Sequence, residues 1–147
     1  MEKTLPECQT CEFGYRGTLL QVMEGLGDQK TAIYDIDLVI ERNGAILAIG
    51  EYKRFTADVP VYLIPLWEYI ALGRLAKRLA VPAYVIVEHV RRDRESLYYV
   101  FTADKRREAR RAWKGRLFAL FPKEEAVAVY DEPGFQAFIA SIVAGGL

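Results

Sequence analysis

The chain has 147 residues, 52% of them apolar and 27% charged, with 20 basic side chains balancing 20 acidic ones. That is enough for one domain around one core, with the composition of a soluble globular protein. No apolar run approaches the ~20 residues of a membrane span, and the most apolar stretch, Phe135–Leu147, is too short and at the wrong end for a signal peptide, so a cytoplasmic protein with no membrane partner is expected.

Near the N-terminus Cys8 and Cys11 form one CxxC. A zinc site usually takes four ligands, and His89, the single histidine, raises the supply of such ligands to three. The functional readings are a redox pair or a site shared across a dimer. The favoured reading is a half-exposed turn entering the first helix. Thr10 caps that helix over about Cys11–Glu24, with Phe13, Leu20 and Met23 among its apolar positions, and Gly25 and Gly27 end it.

Two strands follow, about Ala32–Glu41 and Ala45–Arg54. Pro60 and Pro65 bracket the start of a helix reaching Leu79, with Leu66, Ile70, Gly73, Ala76 and Ala80 on one face and Pro82 as its stop. Ala83–His89, rich in Val, Ile and Tyr, reads as a buried strand, and Leu97–Thr102 as another. Asp104 starts a second, basic helix. Its apolar stripe is Ala109, Trp113, Leu117, Leu120 and Phe121, its basic face Arg107, Arg110, Arg111 and Lys114, and Pro122 its end. Ala126–Tyr130 is a short strand and Pro133–Val143 the last helix. The order αββαββαβα predicts a single α/β domain over 1–147, with a central mixed β-sheet flanked by helices.

The chemistry concentrates in Tyr34–Arg54, YDIDLVIERNGAILAIGEYKR. Charged groups on otherwise apolar strands need partners. Side chains alternate along a strand, so Asp35 and Asp37 share one face of the first strand, and Glu51 and Lys53 share one face of the second. The turn at Asn43-Gly44 decides whether these faces coincide. A plain two-residue loop makes paired numbers sum to 87, which sets Asp37 against Gly50 and sends Glu51 to the other side. A loop of Arg42–Gly44 gives 86 and sets Asp35 opposite Glu51; a loop of Asn43–Ala45 gives 88 and sets Asp37 there. Either odd loop, or a bulge, gathers the charges. Two or three gathered carboxylates make a hard oxygen site for Mg²⁺ or Mn²⁺. Lys53 would stand beside the metal, where it can orient a water or stabilise a phosphate in the transition state. The alternative is a solvated hairpin whose charges form cross-strand ion pairs.

Asp37 in YDIDLVI and Glu51-Tyr52-Lys53 in AIGEYKR resemble the signature of the PD-(D/E)xK nuclease superfamily, which has the restriction-endonuclease-like fold. The hairpin looks most like the archaeal Holliday-junction resolvases and RecB-like nucleases. The match covers roughly a third of the chain tightly, and an αβββαβ-like element order more loosely. The resemblance implies a Mg²⁺-dependent nuclease acting on DNA. It implies that Asp37 and Glu51 bind the ion together with the Tyr52 carbonyl, and that Lys53 helps activate the attacking water. Glu12 is the position on the first helix that matches an assisting Glu, and Asp35 is an alternative ligand to Asp37. Glu68 lies on the helix after the motif, where related nucleases carry a polar residue reaching the site. Related resolvases work as dimers, which makes a second copy an implied partner, although no isolated dimer stripe stands out. Ile36 stands where the family often has Pro, a departure the superfamily tolerates.

Between Arg91 and Arg116 ten basic residues face four acidic ones, a local excess of six positive charges. Arg91, Arg92 and Arg94 in a loop, with Arg107, Arg110, Arg111 and Lys114 on the following helix, are candidates to neutralise phosphates. The bland reading of the same run is a solvated face. Arg54 and Lys53 adjoin the metal position and are the candidates nearest the scissile bond. His89, Tyr62, Trp67 and Tyr69 read as core or rim residues. The two serines, Ser96 and Ser141, have no triad-like setting, and no phosphate-binding glycine loop is present. A non-catalytic nucleic-acid-binding or assembly domain on the same fold is the rival reading.

Overall fold

Ala83–His89 is the central strand of the larger of two sheets, as its unbroken apolar run requires: alternate residues bury on opposite faces, and Val85, Ile86 and Val87 are all fully buried. A computed structural model describes residues 36–145. Glu12, Cys8, Cys11, Asp35 and the first predicted helix lie outside the described residues.

In chain order the elements are β1 (Leu38–Arg42), β2 (Ala45–Phe55), β3 (Val61–Pro65), α1 (Leu66–Leu79), β4 (Ala83–His89), β5 (Leu97–Thr102), β6 (Ala109–Arg111), β7 (Leu117–Pro122), β8 (Ala128–Tyr130) and α2 (Glu132–Gly145). They form an α/β fold with a mixed sheet and two helices. The larger sheet has the order β1-β2-β4-β5-β8, with β2 and β4 parallel and the other neighbours antiparallel. The smaller, β3-β7-β6, is antiparallel. Helix α1 ends at Ala80, which takes the left-handed conformation (φ 57), and the next N–H, of Val81, returns to the Ala76 carbonyl at 3.2 Å. Pro82 then begins the run into β4. No helix among the described residues is long and apolar enough to cross a membrane.

Two expectations fail here. Asp104–Phe121 is not a helix: it supplies β6, a short 3-10 turn at Trp113–Gly115, and β7. Lys114 (φ 58) and Gly115 (φ 73) turn the chain back on itself. Leu117–Phe121 fits a helical stripe, yet it also alternates, with Ala119 and Phe121 fully buried and Phe118 and Leu120 between them only partly buried. Burying aromatic rings is worth about 2–3 kcal/mol each, whereas helix propensities differ by only a few tenths of a kcal/mol per ordinary residue. Packing therefore decides. Val61–Pro65 is likewise a strand, and α1 begins only at Leu66. The buried face of α1 carries Tyr69, Leu72 and Ala76, so the predicted stripe through Leu66, Ile70 and Gly73 is rotated.

The core lies where the smaller sheet and α1 meet one face of the larger. Tyr62, Ile64, Ala119 and Phe121 come from the small sheet, Ile49, Val85, Val87 and Phe101 from the large one, and Tyr69 and Leu72 from the helix. The rings of Phe101 and Phe121 meet edge-on at 5.1 Å. Helix α2 packs through Phe135 and Phe138 on Tyr98, Tyr84 and Tyr130, residues of the opposite strand parity. Arg42 ties the hairpin to this helix by donating to the Val143 carbonyl at 2.9 Å.

Candidate functional site

Strand β2 is the axis of the site. Arg42 pairs with Ala45 across a two-residue turn, with Asn43 at φ 53 and Gly44 at φ 86, the left-handed pair such a hairpin prefers. Neither odd-length loop forms. A bulge takes their place: Glu41 pairs with Ile46 but Ile40 with Ala48, leaving Leu47 as the extra residue. Beyond the bulge the paired numbers sum to 88, and the ladder ends at Leu38–Gly50. Continued one step past its end, that register would align Asp37 with Glu51.

Asp37 sits just outside β1, where its Oδ2 accepts a hydrogen bond from the Tyr52 N–H at 3.0 Å. The N–H and carbonyl of one strand residue leave by the same edge. The Tyr52 carbonyl therefore points to the edge that Asp37 caps, beyond the end of β1. Glu51 is 2% exposed, on the core-facing side of the sheet. Burial, then the neighbouring Asp37 charge, push its carboxyl up from 4.5 to about 9, against the opposing pull of Lys53. The Lys53 ammonium lies 3.5 Å from Glu51 Oε2 and 2.7 Å from Glu68 Oε1. Burial works against the Lys53 charge, yet Glu68, Glu51 and Asp37 together hold its pKa above the ordinary value. Glu68 reaches this point from the first turn of α1, as the sequence position of that glutamate suggests.

Glu51 and Glu68 beside one ammonium, with the Asp37 charge acting on Glu51 and Lys53, leave an excess of negative charge in a partly buried place. A proton or a second cation must relieve it. Carboxylate oxygens and a backbone carbonyl are hard donors, so the set fits Mg²⁺ or Mn²⁺ better than zinc. Asp37, Glu51 and the Tyr52 carbonyl are the groups that would hold the ion. Among the described residues no three His, Cys, Asp or Glu side chains close around one point.

The other face of β2 has a different character. Tyr52 donates its hydroxyl to Glu88 Oε1 at 2.6 Å, Ser96 donates to Oε2 at 2.8 Å, and Arg54 Nε stands 3.2 Å from Oε1. Arg54 thus leaves by the face opposite Glu51 and does not adjoin the carboxylate cluster.

The predicted phosphate contacts separate into three groups. Arg91 and Arg92, with Arg94, Lys123 and His89, line a groove of about 480 Å³ at the end of β4. His89 is buried, with its Nδ1 3.3 Å from the Tyr62 hydroxyl, and burial lowers its pKa, so it is neutral at pH 7. Arg110, Arg111 and Lys114 are exposed on the β6–β7 hairpin. Arg107 belongs to the interior: its side chain is 3% exposed, its guanidinium lies 4.3 Å from the Phe121 ring centre, and it pairs with Glu125 at 2.7 Å. The sequence reading missed Lys123, which pairs with Asp58 at 2.8 Å and lies over the rings of Tyr62 and Tyr99. Only its position just after the strand-ending Pro122 hinted at a fixed location.

Comparison with protein-family models, with characterised proteins and with solved structures finds no match for this chain.

Proposed function

We propose that the chain is a nuclease, dependent on Mg²⁺ or Mn²⁺, that hydrolyses phosphodiester bonds of DNA on a restriction-endonuclease-like frame. The observation that carries this reading is the bulge at Leu47, which shifts the register to one whose continuation past Leu38–Gly50 aligns Asp37 with Glu51, in keeping with the Asp37 charge acting on both Glu51 and Lys53. The element order β1-β2-β3-α1-β4 is in keeping with the αβββαβ-like order of the family resemblance. Asp37, Glu51 and the Tyr52 carbonyl hold the metal, and Asp35 and Glu12, outside the described residues, are further ligand candidates. The bound ion supplies positive charge for phosphate oxygens and acidity for a coordinated water. Lys53 presents its ammonium beside Glu51, where it orients the water and meets negative charge developing on phosphorus oxygens. Glu68 positions Lys53 by holding its ammonium. Arg91, Arg92, Arg110, Arg111 and Lys114 contact backbone phosphates. The test is a Mg²⁺-dependent cleavage screen over branched, single-stranded and duplex DNA. Glu51→Ala and Lys53→Ala should each abolish cleavage while far-ultraviolet dichroism stays unchanged; full activity in either variant sinks the assignment.

A second reading, a nucleic-acid-binding or assembly domain without catalysis, draws on the close Lys53–Glu68 pair, since a lysine engaged by a helix carboxylate can serve packing alone. Calorimetric titration with Mn²⁺ separates the two. No binding in the millimolar range favours the non-catalytic domain.

A further inference from the structure

The β6–β7 hairpin overhangs the smaller sheet. β3 ends with the pair Pro65–Phe118, whereas the β6–β7 ladder continues to Arg111–Leu117 and is closed by the Ala112 N–H donating to the Arg116 carbonyl at 2.9 Å. Residues 112–116 therefore extend past β3, at the end where α1 begins. That is also the end at which Glu68 holds Lys53. At the tip Trp113 is 63% exposed, although an indole is among the side chains that gain most from leaving water. The tip is nonetheless ordered by its own bonds: Gly115 N–H to the Ala112 carbonyl at 2.9 Å, and the Arg111 guanidinium to the Gly115 carbonyl at 2.9 Å. Lys114 Nζ lies 4.6 Å from the Trp113 ring centre. From Ala109 to Lys123 the chain has five basic residues and no acid. Among the described residues Arg110, Arg111, Lys114 and Arg116 form no ion pair with a carboxylate.

We propose that this hairpin is a base-stacking finger: Trp113 stacks on an unpaired base, and Arg110, Arg111, Lys114 and Arg116 hold the flanking phosphates. This rests on the nuclease reading and names its substrate class, DNA with unpaired bases beside the scissile bond. Every base has a π-face for an indole, but a duplex covers those faces with neighbouring base pairs, so stacking by a protein ring selects open strand. Charge complementarity names the occupant, since four cations with no carboxylate partner among the described residues share one hairpin with the ring, Lys114 lying against it. A membrane surface also takes Trp with Arg and Lys, but it needs a broad apolar face. Here only Leu117, 40% exposed, accompanies the ring on the hairpin.

The chain has two tryptophans, so Trp67→Phe leaves Trp113 as the sole indole reporter. The full-length protein in EDTA is titrated with fluorescein-labelled oligothymidylate, with a blunt duplex of equal length, and with phosphatidylglycerol–phosphatidylcholine vesicles. Oligothymidylate should quench Trp113 emission and the duplex should not. Trp113→Ala should weaken single-strand binding about tenfold and spare duplex binding, while Trp113→Phe should retain most of the affinity. Oligothymidylate binding, seen by anisotropy, without a change in Trp113 emission overturns the proposal. So does an equal loss on both DNAs, the absence of any DNA binding, or a response to anionic vesicles alone. Quenching without Mg²⁺-dependent cleavage of any substrate keeps the finger and removes the nuclease. Cleavage of flapped and blunt duplexes that is equally indifferent to Trp113→Ala keeps the nuclease and removes the finger.

Discussion

Replacing Glu51 by Gln should stabilise the metal-free protein, and by an amount that grows with pH. The buried carboxyl titrates near 9 in the folded chain against an ordinary value of 4.5. Between those limits the folded state keeps a proton that the unfolded state has released. The stability this proton confers is therefore complete below pH 4.5 and is lost as pH rises through 9. The slope approaches about 1.4 kcal/mol per pH unit for one proton. Because Asp37, Glu51, Glu68 and Lys53 share their charges, a fall of about 2 kcal/mol over two pH units near neutrality is the working figure. Gln has the same shape and no titration, so its profile should lack this fall. Urea unfolding in EDTA, followed by circular dichroism at several pH values, reads both slopes. His89, whose pKa burial lowers, contributes in the opposite sense at low pH, and the difference between wild type and variant cancels it. Mn²⁺ should restore wild-type stability most at high pH, because ion and proton compete for Glu51. Parallel pH profiles for wild type and Glu51→Gln would refute the reasoning about this carboxyl.

Gly50→Ala should cost about 2 kcal/mol in urea unfolding, because a Cβ there meets the Tyr84 carbonyl oxygen at 2.9 Å and Leu38 Cδ2 at 3.3 Å; an unchanged midpoint would contradict the close approach of β2 and β4. Arg107→Ala should destabilise by about 2–3 kcal/mol through its lost ring contacts and ion pair and leave the salt dependence of DNA binding unchanged, whereas Arg110→Ala should keep stability and lower that salt slope by about one. Arg54→Ala should preserve cleavage, since its guanidinium pairs with Glu88 on the opposite face; loss of cleavage equal to that of Lys53→Ala would place Arg54 at the reacting phosphate instead.

What could be read in the sequence was what short-range chemistry determines. Asn43-Gly44 between alternating strands marks the hairpin, and the structure places β1 and β2 on either side of it. The apolar run Ala83–His89 and the strand Leu97–Thr102 have the expected bounds, and the last helix, expected over Pro133–Val143, spans Glu132–Gly145. Glu68 stands out in the sequence only through the family resemblance, which implies a polar residue on the helix after the motif. The bulge could be deduced only as one of three ways to satisfy parity, since no residue type at Leu47 marks it. The smaller sheet could not be read at all. Val61–Pro65 becomes a strand by pairing with residues 118–122, more than fifty positions away, and Leu117–Phe121 suits either period until Tyr62 and Tyr69 decide which side it buries. The burial of Arg107 has the same origin: an arginine in a basic run looks like a surface charge until Phe101 and Phe121 close over it.

Glu51 and Glu88 are two carboxylates of one sheet held in opposite electrostatic settings. They leave adjacent strands on opposite faces of the larger sheet, and burial raises the pKa of both. Glu88 receives donors from Tyr52, Ser96 and Arg54, which overcome that push and hold it below the ordinary carboxylate range. Its charge is satisfied within the fold, and nothing further is needed. Glu51 is surrounded differently: Lys53 is the opposing cation, but that ammonium sits closer to Glu68, and Asp37 adds repulsion. A structural role would be served better by Gln or by an apolar side chain, because an under-compensated buried carboxyl destabilises the fold that carries it. An acid held in so unfavourable a place keeps its proton, or exchanges it for a cation when one arrives. That asymmetry, more than the spacing of Asp, Glu and Lys along the chain, is the physical reason to look for metal chemistry on this face of β2.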